Sequence, residues 1–341
     1  MDTIAPNITS GRSKPSLGEY NLYGSTGIIG KTATADYSGD MLLVARVGAN
    51  AGSLQLVNDS CGITDNTLII KPCKLSSHYL YFYLQHYNLN RLVFGSGQPL
   101  ITAGMLKKVR IPFGNQLEQK KIENFLCCID ERITTQNKII EKLETLIKGI
   151  VELAFSHAAT SNTLGCYITQ ISQRNKTGKD LPVLSVSNKH GFVEQSEQFE
   201  DRIIASDDTS NYKIVDINDF AYNPARINVG SIARLKDKEC GIVSPMYICF
   251  RTSKDILPEY LELFFKTVTF SFEVGKRLEG SVRLCLSYES LCEIVIPIIS
   301  IREQQSLVKM VTTFHSKLDV EKGFLSSYQS QKQCLLSQMF I

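Results

Sequence analysis

No stretch of the 341 residues approaches the ~18 unbroken apolar side chains that a membrane-crossing helix requires. The first residues, MDTIAPNITSGRSK, hold no apolar core of a secretory signal. Metal-ligand spacing is missing as well. The ten cysteines contain no C-x-x-C pair, Cys127-Cys128 falls inside a helical pattern, and the five histidines (His78, His86, His157, His190, His315) are scattered. A structural zinc needs paired ligands at short spacing. The cysteines therefore read as reduced, structural thiols of a cytosolic protein, and the expected compartment is the cytoplasm. An excess of either charge is missing too, with a net of only +3. Residues 1–115 lean basic, with ten Lys and Arg against six Asp and Glu, whereas residues 164–299 carry 16 against 18. A DNA-binding protein usually shows a basic footprint, and only the first segment inclines that way.

What remains is ordinary globular composition, 43% hydrophobic and 21% charged, in a chain long enough for two or three domains. One motif tempts. The stretch YGSTGIIGKTATADY, residues 23–37, contains Gly30-Lys31-Thr32 after a glycine-rich run. A phosphate-binding loop reads G-x-x-x-x-G-K-[ST] and opens a helix. Here the first position is Ser25 instead of Gly, and ATADYSGD lacks a helical period. The stretch is read as a surface loop that presents Ser25, Thr26 and Lys31.

The organisation emerges when the chain is compared with itself. A shift of 185 residues pairs Gly95 with Gly280, Ser96 with Ser281, Leu106 with Leu291, and Ile111-Pro112 with Ile296-Pro297. It continues through Glu118-Gln119 and Glu303-Gln304 and ends, without a gap, at Phe155 and Phe340. Such a register indicates a tandem duplication.

Each copy closes in a long apolar-periodic segment. The first seam is Ile122, Leu126, Ile129, Ile133, Gln136, Ile140, Leu143, Ile147, Ile150 and Ala154; its steps alternate four and three, the coiled-coil heptad. The second is Leu307, Val311, Phe314, Leu318, Glu321, Leu325, Tyr328, Lys332, Leu335 and Met339. Pro112 and Pro297 end the strands or loops before each helix. A stripe of this kind suits either a core helix of a larger bundle or a paired helix, and the second copy offers a partner. The expectation is an antiparallel coiled coil with Gln136 and Glu321 in adjacent layers near its middle, fixing register at some cost in stability.

Upstream of each helix lies a module of mixed character. MLLVARV and NTLIIKP read as short buried strands and SHYLYFYLQHYNLNRLV as a helix. In the second module LPVLSVS, YKIVDI, FAYNPAR, SIARL and MYICFRT read as strands, followed by a helix PEYLELFFKTVTFSFEV with Tyr260 where the first has Tyr79. The fold class is α+β: two globular, strand-rich modules separated by two long helices, with an internal two-fold repeat. The boundaries are 1–115 and 158–299 for the modules, 116–157 and 300–341 for the helices.

The unit GSGQPLI…V-I-P…LEQ-KI…ID-RI, then a long helix, then the same again, resembles the specificity subunit of type I restriction-modification systems. YGSTGIIG followed by SGDMLLVARVGANAG also looks like particular target-recognition domains of that family. The resemblance implies a non-catalytic DNA-recognition subunit for host defence. By that resemblance each module would read one half of a bipartite target, and the helices would set the gap and dock methyltransferase subunits. Double-stranded DNA, those modification subunits and, through the complex, a restriction/translocase subunit would be the partners. S-adenosylmethionine and ATP with Mg would sit in the partner subunits, with no cofactor or metal in this chain. Family members often carry a leader, and this chain begins with MDTIAPNI, which implies a trimmed first domain or an alternative start.

Motifs for chemistry do not argue otherwise. The adenine methyltransferase signature Asn/Asp-Pro-Pro-Tyr/Phe is absent; Asn223-Pro224 is followed by Ala225 and Arg226. No G-x-G-x-x-G follows a strand and no nucleophile elbow is recognisable. Base reading then falls to side chains of the types that pair with base edges. The candidates are Ser25, Thr26, Lys31, Arg46, Asn50 and Gln98 in the first module. In the second they are Asn188, Lys189, Asn223, Arg226, Asn228, Arg277 and Arg283. Arg46 and Arg226 stand out because each follows an apolar strand and precedes a glycine loop; Asp219, Arg226 and Gly230 approximately match Asp40, Arg46 and Gly52. The competing reading is a coiled-coil scaffold that binds proteins without sequence-specific DNA binding.

Overall fold

The run Met41–Ala45 is apolar at every position, so it can satisfy a strand only if both faces of its sheet are covered. The structure, a computed structural model, describes residues 1–93, 99–156, 160–188, 190–194, 209–280 and 283–340. In it β4 (Asp40–Ala45) is buried from Met41 onward. Leu42 and Val44 face one cluster with Leu68, Ile70 and Leu80, while Met41 and Leu43 face another with Val57, Ile63 and Ile69. Period-two alternation thus feeds two cores from one strand.

The chain divides into two compact units, Met1–Ile139 with Glu321–Ile341, and Ile140–Val320. In the first, β1 (Ile8–Ser10), β4, β5 (Leu54–Asn58) and β7 (Thr67–Ile70) form an antiparallel sheet in the order β1-β7-β4-β5. A smaller sheet joins β2 (Tyr20–Gly24) antiparallel to β3 (Gly27–Thr32) and parallel to β6 (Gly62–Ile63). Helix α1 (Ser77–Tyr87) starts where the Ser76 hydroxyl accepts from Tyr79 N–H and stops at Asn88, whose φ of 57° ends the helical path. A short α2 (Ala103–Lys108) precedes α3 (Gln116–Ser156).

The second unit repeats that wiring. Its antiparallel sheet runs β14-β13-β16-β9, from β9 (Ile168–Ile171), β13 (Phe220–Tyr222), β14 (Ile232–Arg234) and β16 (Ile248–Thr252). The companion sheet again pairs a hairpin, β10 (Val183–Ser187) with β11 (Gly191–Glu194), and sets β10 parallel to β15 (Cys240–Val243); β12 (Lys213–Asp216) adds an edge. Strand β8 (Thr160–Thr163) pairs with β17 (Val295–Ile298), which carries Pro297. The expected single helix over 258–274 is two, α4 (Pro258–Phe264) and α5 (Val268–Lys276). Thr267 breaks it, because its hydroxyl caps α5 by accepting from Phe270 N–H at 3.1 Å. After α6 (Tyr288–Cys292) comes α7 (Ile301–Met339).

The repeated I-P-x6-Q signature has a structural cause. Buried Gln119 donates to Gly114 O, and Gln304, fully buried, donates to Ile299 O, both at 2.9 Å. Glu118 with Asn115, and Glu303 with Ser300, form reciprocal capping boxes at the starts of α3 and α7. These residues terminate the loop and begin the helix in both copies.

Every seam residue is buried or half-buried along both long helices. Within the first unit Gln136 Nε2 donates to the Glu321 carboxylate at 2.5 Å and to its backbone oxygen at 3.0 Å. The two polar seam residues thus meet directly. Lys332 finds Asp130 at 2.6 Å. Each helix also ends on an aromatic seat. Phe340 packs edge-on against Tyr79 at 5.3 Å in the first unit, and Phe155 lies 4.7 Å from Tyr260 in the second.

Candidate nucleic-acid interface

The stretch read as a glycine-rich loop is a hairpin. Ser25 and Thr26 are its two-residue turn, followed by Gly27 at a φ of 111° that few side chains tolerate. No helix follows, so the phosphate-cradle geometry is absent. Lys31 lies on β3 with Nζ bonded to Asn21 Oδ1 at 2.8 Å and Glu19 O at 3.1 Å. The counterpart turn between β10 and β11 presents exposed Asn188; Lys189 lies outside the described residues.

The next hairpins carry the second group. Between the paired residues Val44 and Leu54 run nine residues, 45–53, and between Tyr222 and Ile232 run nine more, 223–231. In both, the first residue's N–H donates to the last residue's carbonyl, Ala45 to Ser53 and Asn223 to Ser231. Gly52 and Gly230, each next to last, have φ of 93° and 87°. This frame matches the two glycines, and it puts Pro224, not Arg226, opposite Arg46. Asn50 is exposed at the loop tip, as are Arg226 and Asn228. Asn223 is buried, its Oδ1 accepting from Ala225 N–H at 3.1 Å in a turn-forming role.

A third segment closes on each hairpin. Ile101 N–H donates to Arg46 O at 2.8 Å, and Leu286 N–H donates to Pro224 O at 3.1 Å. Gln98 lies outside the described residues, just before Pro99, whose carbonyl accepts from Gly48 N–H. Its positional counterpart Arg283 is exposed. Arg277 is engaged by the Glu273 carboxylate one turn earlier on its own helix. The first hairpin joins the cluster in both units. Gln55 Nε2 donates to Gly24 O at 3.0 Å, and Ser231 Oγ donates to Val186 O at 3.2 Å. Each unit therefore gathers three loops, holding most of the candidate side chains, at one end of its sheets. Arg46 is the most constrained of them, with a buried Nε that has no partner among the described residues.

Sequence reasoning passed over a second basic group. Arg234, Lys236, Lys238 and Lys266 line a cavity of about 420 Å³ with Phe192, Phe265 and Glu262. The period-two alternation of Arg234, Lys236 and Lys238 was the available signal. Glu262 is the centre, with Lys236 at 2.5 Å, Arg234 at 3.1 Å and Lys266 at 3.4 Å. Burial opposes its ionisation, but Lys266, Lys236 and Arg234 together hold its carboxyl below the usual range. His315 on α7 is pushed down by burial and then by Lys266 and Lys236, against Asp319 and Glu262. A histidine with a depressed folded pKa stabilises the fold above its unfolded value of roughly 6.5, and that contribution is lost as pH falls. Glu262 adds acid lability only below the ordinary carboxylate range. The melting temperature of the second unit is therefore expected to drop between pH 7.5 and 5.5, and His315→Gln should flatten that slope.

Residues 4–145 match the family model described as the type I restriction modification DNA specificity domain. No curated protein matches the chain. Among solved structures, the type I restriction-modification S subunit from M. genitalium is 20% identical, with a TM-score of 0.64 over 100% of this chain and 94% of that one. A structure of complex assembly and conformational transition of the type I R-M system gives 13% identity and a TM-score of 0.56, over 94% of this chain and 91% of that one. The family match falls on the unit that holds the Ser25–Thr26 hairpin and the Arg46 loop, and the shared fold runs the length of the chain. Over residues 4–145 the chain is thus similar to the DNA specificity domain of type I restriction-modification systems, and along its whole length it shares the fold of an S subunit.

Proposed function

We propose that each unit reads one half of a bipartite duplex target through its three clustered loops, and that the chain performs no chemistry of its own. One observation carries this reading: two nine-residue hairpin loops with the same closing hydrogen bond, the same left-handed glycine, and the same tie to a third loop. Two copies of one reading head suit two half-sites. The helices support the architectural part. Moving from Gln136 back to Asp130 on α3 matches moving from Glu321 on to Lys332 on α7, the sense of an antiparallel coiled coil.

Away from the seam, both helices leave apolar side chains in water: Phe125, Leu146 and Leu153 on α3, and Met310, Val320 and Phe324 on α7. Such residues suit docking of methyltransferase subunits, which would hold S-adenosylmethionine, while ATP and Mg would belong to the restriction subunit.

Mapping methylated adenines in cells with and without this gene tests the reading. A two-part motif should disappear with the gene and return on complementation. Purified chain alone should methylate nothing until the modification subunits are added; methyl transfer by the chain alone would end the proposal.

A further inference from the structure

The hairpin of β2 and β3 breaks its own alternation. Leu22 pairs with Gly30 but Tyr23 pairs with Ile28, so Ile29 is an extra residue, a β-bulge. Bulges re-aim side chains that a regular ladder would send to opposite faces. Ile28 and Ile29 are 57% and 51% exposed and belong to neither core cluster of the unit. Across from them a Cβ on Gly24 would stand 3.0 Å from Ile29 Cδ1 and Cγ2, so the glycine makes room for that side chain. Two adjacent β-branched residues are thus built outward, at a standing cost in hydration unless something covers them.

The surroundings say what covers them. From Tyr20 to Ala35 the only charged residue is Lys31, so the hairpin offers no carboxylate to repel a polyanion. Through Gln55 its tip is tied to the start of β5, directly after the loop that carries Arg46 and Asn50. The isoleucines therefore border the polar recognition loops. A DNA major groove, ~12 Å wide, admits a two-stranded ribbon, and the apolar group it displays is the thymine C5 methyl.

We propose that Ile28 and Ile29 enter the major groove of the half-site read by the first unit and recognise thymine methyl groups there, making at least one T·A pair a fixed part of that half-site. This rests on the DNA-recognition reading above. The counterpart hairpin pairs regularly from Leu184↔Glu194 to Ser187↔Gly191, and its Phe192 and Val193 are half-buried. Methyl reading by this device is confined to one half-site.

Uracil keeps the hydrogen-bonding edge of thymine and lacks only the methyl. The test is binding of the full chain, in complex with its methyltransferase subunits, to its mapped target with thymines replaced by uracil one half-site at a time. Wild type should bind about fourfold more weakly for each methyl it reads, the transfer of one methyl at ~0.8 kcal/mol, and only in one half-site. Ile28→Ser/Ile29→Ser, which leaves no methyl at either position, should bind the thymine target more weakly, lose the uracil effect, and keep its melting temperature because both sites are exposed. Specific binding that ignores uracil in both half-sites would overturn the inference while leaving the recognition reading intact. A uracil effect that persists in the double variant would assign the methyl to another residue and overturn it too. Absence of any sequence-specific binding by wild type would instead sink the recognition reading, and this one with it.

Discussion

Arg46→Ala is expected to weaken binding at the half-site read by the first unit by about 1–3 kcal/mol, roughly 5- to 150-fold, with preference at the other half-site unchanged. The backbone of Arg46 is fixed on both sides, its N–H donating to Asn66 O at 2.9 Å and its carbonyl accepting from Ile101. The side chain thus leaves a rigid frame instead of a mobile tip. Its Nε is shielded from water with no partner among the described residues, and a buried donor without an acceptor carries a penalty of about 1–3 kcal/mol. Arg46→Lys keeps the charge but loses the planar fork that meets guanine O6 and N7 together, so it should restore affinity more than preference. Binding to targets altered one base pair at a time reads both quantities. Equal loss at both half-sites with a fallen melting temperature would make Arg46 a support of the loop, not a reader.

The features legible in the sequence were those written as local periods. MLLVA read as a buried strand, and the four-three steps from Ile122 and Leu307 read as long helices with one apolar stripe. The hairpin over 20–32 was missed because Ile28 and Ile29 both face outward across a bulge, so alternation never appears. The single helix expected over 258–274 failed at Thr267, where a cap outweighed a continuous apolar pattern. Arg226 was paired with Arg46 by sequence, yet the ladder puts Pro224 there, since register is set by cross-strand bonds and not by residue type. The candidate readers fared by environment. Tip residues such as Asn50 and Asn228 are exposed, whereas Asn223 is consumed by its own turn and Arg277 by Glu273. No local signal distinguishes an asparagine that offers its amide from one that spends it.

Phe340→Ala should destabilise the first unit by about 3–5 kcal/mol, the range for deleting a buried phenylalanine. The residue is 5% exposed, with its ring 5.3 Å from Tyr79, 5.6 Å from Tyr83 and 6.0 Å from His86. Leu336, one turn earlier, lies in the same cluster as Leu80, Leu106 and Leu126. The final helical turns therefore complete the core beneath α1, the same core that Leu42 and Val44 of β4 enter from the sheet. Since the Arg46 loop springs from β4, loss of this seat should loosen a loop that lies far away in sequence. Two units need not unfold in one step, so amide hydrogen exchange resolved along the chain is the measurement. Protection should fall on α1, β4 and β7 and hold on β13 and β16, and Phe340→Leu should recover most of it by refilling the cavity. Unchanged exchange on α1 would mean that the end of α7 adds nothing to that core.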